Sequence, residues 1–251
     1  MSSGETEESS ETDLDGARTP WVVLVFGLTF PTLVTWLYFV ALADSPSTLQ
    51  QSAYLGGKIV QFVFPIAWVF GIEKTRLRFN TSRAGIGIGI ASGLAIVMAM
   101  LGLYLLVLRP NDFFAQARPS ILAKVQGMGI ASPLAFAATG MFYSLFHSGL
   151  EEYYWRWFVF KRLRTVTSLG VAVTASSLGF MAHHVLVLAT FFGASSYATY
   201  LFSLGVAVGG ILWSLLYERS RSLIGPWVSH ALVDAGIFLV GYDLVSSLFH
   251  Q

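Results

Sequence analysis

SGLEEYYWRWFVFKRLR, Ser148 to Arg164, sets two adjacent glutamates and an arginine inside a run of aromatic and apolar residues. Whether that run lies in water or in lipid decides the fold. The rest of the chain answers for lipid. Of 251 residues, 55% are hydrophobic and 12% charged, with mean hydropathy +0.65, whereas soluble domains run near a quarter charged. Apolar runs of about 20 residues, long enough to cross a hydrocarbon core as a helix, recur near Trp21 to Ala43, Ala53 to Ile72, Ala84 to Leu108, Ala131 to Phe160, Leu169 to Phe192, Thr199 to Tyr217 and Leu223 to Phe249. Almost nothing is left for a soluble domain, so any active element must sit in the bundle. The expected fold is an all-α integral membrane protein, a bundle of about seven transmembrane helices with a polar catalytic cavity inside the membrane.

Three parts follow along the chain. Residues 1–19 are acidic, rich in Ser and Thr and free of aromatics, the composition of a disordered tail. They lack the basic start and small-residue cleavage site of a signal peptide. Residues 20–130 hold three spans, and residues 131–251 a four-helix core that contains the intramembrane charges. Lys74, Arg76, Arg78, Arg83, Lys161, Arg162, Arg164, Arg219 and Arg221 fall on one side, with Arg109, Arg118 and Lys124 opposite. The positive-inside rule then places the N-terminus in the cytoplasm and the C-terminus outside. No cysteine is present, which excludes disulfide and thiolate chemistry, and a net charge of +1 gives no sign of nucleic-acid binding. Gly85, Gly89 and Gly93 repeat every fourth residue inside an apolar run and are read as a close helix contact, not a nucleotide loop.

Ionisable residues inside spans are costly, at about 2.5 to 3.5 kcal/mol each at a helix centre, and are functional suspects for that reason. They are His147, Glu151, Glu152 and Arg156 in the fourth span, His183 and His184 in the fifth, and His230 and Asp234 in the seventh. Glu152 and Arg156 are four apart and share a face, with the acid on the favourable N-terminal side. Glu151 points about 100° away and has no basic partner one turn on. Phe180 and His184 stack on one face of the fifth span, with His183 about 100° from it. His230 and Asp234 again lie one turn apart.

The motifs E-E-x-x-x-R, F-x-x-x-H and H-x-x-x-D, in this order inside apolar spans, resemble those of the CPBP intramembrane proteases, also called the Abi or CAAX prenyl endopeptidase family, which includes the Ras-converting enzyme. The resemblance covers Ser132 to Leu248, and the first three spans carry no motif. It implies that Glu151 and His184 activate the attacking water, that Glu152 and Arg156 form a structural pair, and that His230 and Asp234 stabilise the oxyanion. Family members of better-understood activity have Asn where this chain has Asp234. An ionised Asp cannot donate a hydrogen bond, so Asp234 is assigned to orienting His230 or to a protonated state in a dry site. The resemblance further implies a membrane-anchored protein or peptide substrate, prenylated or carrying a sorting signal, cleaved near its C-terminus in a bacterial or archaeal cell membrane. A non-proteolytic membrane scaffold of the same family is the other class of function.

Amide hydrolysis in a membrane needs a held water, a base and donors aimed at the oxyanion. Zinc is the alternative, with Glu151, His184 and His230 as ligands and one position open for water. These residues lie on three helices and no H-E-x-x-H occurs, so spacing leaves both readings open. The resemblance favours the metal-free glutamate mechanism, although the family is also described as metal-dependent, and zinc stands as the possible cofactor. His147, one turn before Glu151 on the same face, could line the cavity but is read first as a histidine satisfied by a backbone carbonyl, and His183 as supporting or interfacial. Depth presents one conflict. Glu151 is ten residues from Lys161, about 15 Å along a helix, whereas His184 is sixteen beyond Ser168, about 24 Å.

Overall fold

The computed structural model of the chain describes residues 20–74 and 79–249, so the acidic tail, Arg76 and Arg78 lie outside the described residues. The described residues are helical or loop, with no strand among them. Helices α1 (Trp21–Ala41), α2 (Ser47–Ile72), α3 (Ile86–Leu108), α6 (Leu169–Phe192), α7 (Tyr197–Ser220) and α8 (Ile224–Phe249) are each long and apolar enough to cross a membrane. Between them come a short helix α4 (Arg118–Gly127) and one long helix, α5, which runs without a break over residues 133–166. The chain is an integral membrane protein, with six qualifying spans where seven were expected. The difference is α5. It is long enough, but Glu151, Glu152 and Arg156 lower the hydropathy of its centre, and it ends at Val166 instead of Phe160.

Local chemistry sets the helix ends. The Ser132 hydroxyl accepts from the amide of Ala135 ahead of Pro133, and Ser168 does the same for Val171, so both α5 and α6 start on serine caps. Gly193, at φ 89°, ends α6 in a conformation open to glycine. Within α5, residues Phe142–His147 and Tyr153–Phe160 adopt the wider π-helical turn, on either side of the two glutamates. Such π segments cluster at functional sites because they re-aim side chains without breaking the helix.

Packing reverses the pattern of a soluble protein. Leu55, Ile59, Met98, Leu106 and Leu204 point outward, while Tyr154, Trp155, Arg156, Trp157, Phe158, Val159 and Phe160 of α5 are all buried. Helices α1, α2, α6 and α7 enclose this stretch: Tyr154 donates to the Gly27 carbonyl at 2.8 Å and Tyr153 to that of Phe62 at 3.2 Å. Arg162 and Arg164, read from sequence as topology determinants, also brace this end. Arg162 forks onto Glu73 at 2.8 and 2.9 Å, and Arg164 reaches Glu218 at 3.3 Å.

The glycine repeat brings α3 against α8. A Cβ at Gly89 would overlap the Gly225 carbonyl, and one at Gly93 would meet the Ser229 backbone at 3.0 Å. Gly85 serves differently, capping α3 at φ 78°. Gly89→Leu is expected to force the two helices apart and destabilise the protein by about 1 to 3 kcal/mol, the range of overpacking. Gly87→Leu, with nothing within 4 Å of its added Cβ, should leave the melting midpoint in detergent where it is. Equal midpoints for both variants would refute the close contact.

Candidate active site

Glu151 sits at the middle of α5 and is 3% exposed. Three imidazoles from three helices surround its carboxylate: His147 Nδ1 at 3.8 Å, His183 Nε2 at 3.6 Å and His230 Nε2 at 3.7 Å. Each gap exceeds a direct hydrogen bond. The depth conflict disappears once the end of α5 is placed at Val166. Glu151 then lies fifteen residues before Val166, and His184 fifteen after Leu169, so the α5–α6 hairpin brings them level.

His184 donates through Nδ1 to the Phe180 carbonyl at 2.9 Å, and its ring stands 4.7 Å from that of Phe180. A carbonyl oxygen only accepts, so Nδ1 carries the proton and the neutral ring offers Nε2 as a lone pair. The F-x-x-x-H spacing thus fixes a tautomer as well as a face. Glu151, His183 and His184 each offer one ligand atom, all within 4.8 Å of one another. A water bonded at about 2.8 Å to two groups spans about 4.6 Å at the tetrahedral angle, so one water can bridge groups at such separations.

His230 is held from another side. Its Nδ1 lies 2.8 Å from Oε1 of Glu152, and its ring stacks on Trp213 at 3.9 Å. Trp213 donates to Ser229 Oγ at 3.0 Å, and Ser229 contacts Ser92 Oγ at 3.2 Å, which ties α7, α8 and α3 together behind the ring. Glu152 Oε1 also faces Arg156 Nη1 at 3.0 Å, a charge contact off the hydrogen-bonding line, while Arg156 Nη2 donates to the Gly210 carbonyl at 3.2 Å. The guanidinium lies 4.9 Å over Phe180 and 5.2 Å over Trp213.

Four expectations are therefore revised. Asp234 was assigned to orienting His230 or to a protonated state; its Oδ1 is 3.7 Å from Nε2, whereas Glu152 reaches Nδ1 at 2.8 Å, so the orienting contact is made by Glu152. The acid that holds Arg156 also holds His230, because α8 packs close enough to α5 to share its carboxylate. The zinc set also differs. His183 joins Glu151 and His184 as potential ligands in place of His230, because α6 turns both of its histidines towards α5. His183 is buried at 5% exposure, its ring parallel to that of Trp155, so it is no interfacial residue. His147 faces Glu151 instead of relying on a backbone carbonyl alone.

The sequence motifs missed α2. Lys58 lies over the ring of Phe62, whose carbonyl accepts from Tyr153, two residues beyond Glu151. A lysine in the run Ala53 to Ile72 is visible in the sequence. No helical spacing links it to the motifs of α5, α6 and α8.

With this geometry in view, the comparison with known families is specific. Residues 132–236 match the family described as type II CAAX prenyl endopeptidase Rce1-like. The chain contains an Rce1-like domain. This Rce1-like domain takes in Glu151, Glu152, Arg156, Phe180, His183, His184, His230 and Asp234, and leaves α1 to α4 outside it. No curated protein and no solved structure matches the chain significantly.

Proposed function

We propose that the chain is an intramembrane endopeptidase that hydrolyses a peptide bond near the C-terminus of a membrane-associated substrate. The observation that carries this reading is the convergence of Glu151, His183 and His184, with ligand atoms within 4.8 Å of one another, inside an Rce1-like domain. Glu151 takes a proton from a water that His184 positions, and the hydroxide attacks the substrate carbonyl carbon. The proton then passes from Glu151 to the leaving amine as the C–N bond breaks.

His230 faces the developing oxyanion through Nε2. Because Nδ1 donates to Glu152, the ring must carry both protons to donate at Nε2 as well. Glu151, Glu152 and Asp234 place three carboxylates around it, so a second proton has anionic company. Asp234 completes the oxyanion side when protonated, in the place where Asn stands in the better-understood relatives.

A groove of about 540 Å³ runs between α5 and α8, lined among others by Phe136, Gly140, Leu145, Trp227 and Phe238. It is apolar and opens beside the helices that carry Glu151 and His230, a form suited to the hydrocarbon chain of a lipid-modified substrate. A second reading is favoured by the Glu151, His183 and His184 group. Those three could hold a zinc ion with modest closure of their ligand atoms, and bound zinc would supply a hydroxide at neutral pH.

The deciding experiment compares protein termini, by mass spectrometry of membrane fractions, between cells carrying the intact chain and cells carrying its Glu151→Ala form. New C-termini confined to the intact chain are expected, and they name the substrate. Identical termini at equal protein abundance would refute the endopeptidase and favour the membrane scaffold.

A further inference from the structure

Lys58 and Gln61 on α2 form a polar pair that the chemistry above does not use. Lys58 is eleven residues after Ser47 and fourteen before Ile72, about 15 to 20 Å from either end of its helix. Such a position lies well below lipid headgroups, where an ammonium is costly and calls for an anionic partner. Among the described residues the partner within hydrogen-bond reach is neutral: Lys58 Nζ donates to Gln61 Oε1 at 3.2 Å. Tyr54 and Phe62 wall the ammonium, with ring centres at 5.5 and 5.6 Å.

Gln61 adds an independent sign. It is 1% exposed, and its Nε2 has no hydrogen-bond partner. The amide cannot flip to relieve this, because an ammonium only donates and must face the oxygen. A buried donor left unmade costs about 1 to 3 kcal/mol. The pair thus presents spare N–H donors on Lys58 and two on the Gln61 amide, with net positive charge. Two converging donors with a positive charge are the complement of a carboxylate.

We propose that Lys58 and Gln61 bind the free C-terminal carboxylate of the substrate, and so set how many residues lie beyond the scissile bond. This assignment rests on the endopeptidase reading above. One to three extended residues span at most about 3 to 10 Å, which suits a cation stacked over Phe62, whose carbonyl accepts from Tyr153 two residues beyond Glu151. The peptide carboxylate supplies the anion and the acceptor that this part of α2 lacks. Lys58 is then a specificity-determining residue, and an internal peptide segment, with no terminal charge to offer, is a poor substrate.

The test uses the full chain in detergent micelles with an internally quenched peptide bearing a farnesylated cysteine followed by three randomised residues, prepared as free acid and as carboxamide. The intact chain is expected to cleave the acid with kcat/KM at least tenfold above the amide. Lys58→Met should remove that preference, mostly through KM, while Lys58→Arg retains it and Gln61→Leu weakens it. Equal cleavage of both peptides by the intact chain overturns the proposal. So does a Lys58→Met variant that loses the same factor on acid and amide, the result for a lysine that serves only the charge of Glu151 or the fold.

Equilibrium binding of the same peptides to the Glu151→Gln protein separates the two readings. Acid preference in binding that vanishes with Lys58→Met, without turnover by the intact chain, would refute the endopeptidase and leave the carboxylate site standing. Absence of acid preference in binding refutes the site whatever cleavage shows.

Discussion

Glu151→Gln is expected to lower cleavage by about three orders of magnitude or more, within the range that removal of a general base commands, while the melting midpoint stays near that of the intact chain. Glutamine keeps the volume and the polar head of the side chain but cannot take a proton. Glu151 makes no contact with its three histidines short enough to be a direct hydrogen bond, so its charge is not what locks α5 to α6 and α8. His184→Ala should fall to a similar level, because the lone pair that positions the water goes with it. His183→Ala separates the mechanisms. In the glutamate mechanism it leaves measurable activity, and dialysis against a chelator leaves the intact chain active. Loss of activity on chelation, restored by zinc and matched by one zinc per chain, would overturn that mechanism in favour of the Glu151, His183 and His184 site.

Glu152→Ala is expected to act on the fold first. Arg156 is 1% exposed and Glu152 fully buried, and removing one partner of such a pair leaves an uncompensated charge at a cost of about 3 to 5 kcal/mol. The variant should melt well below the intact chain and accumulate poorly in membranes. The double variant Glu152→Ala with Arg156→Met removes both charges and should recover most of that stability, because apolar replacement of a buried pair is often neutral or better. It should not recover activity. His230 Nδ1 would still lack the oxygen that now stands 2.8 Å away, and the ring would lose its orientation. A single variant as stable as the intact chain would refute the structural pairing, and a fully active double variant would refute the link to His230.

Within single helices the sequence was readable. Local order fixed the pairing of Glu152 with Arg156 and the stacking of Phe180 on His184, because helical residues four apart must share a face. Composition likewise announced the lipid-facing spans, since residues such as Leu106 and Met98 have no other solvent to face. One feature escaped it even there. The end of α5 beyond Phe160 carries charged residues, which contacts with Glu73 and Glu218 hold in place.

Relations between helices were decided by tertiary structure. His183 and His184 are neighbours about 100° apart, and whether one or both face Glu151 depends on how α6 is rotated against α5. Glu152 serves His230 because the glycine contact of α3 with α8 and the stacking on Trp213 fix the depth of α8. Lys58 enters the neighbourhood of the site only because α2 packs along α5, where Tyr153 donates to the Phe62 carbonyl. Helical periodicity sets angles within one element from its own backbone hydrogen bonds. The rotation and depth of one helix against another come from side-chain packing over the whole bundle, and no local spacing encodes them.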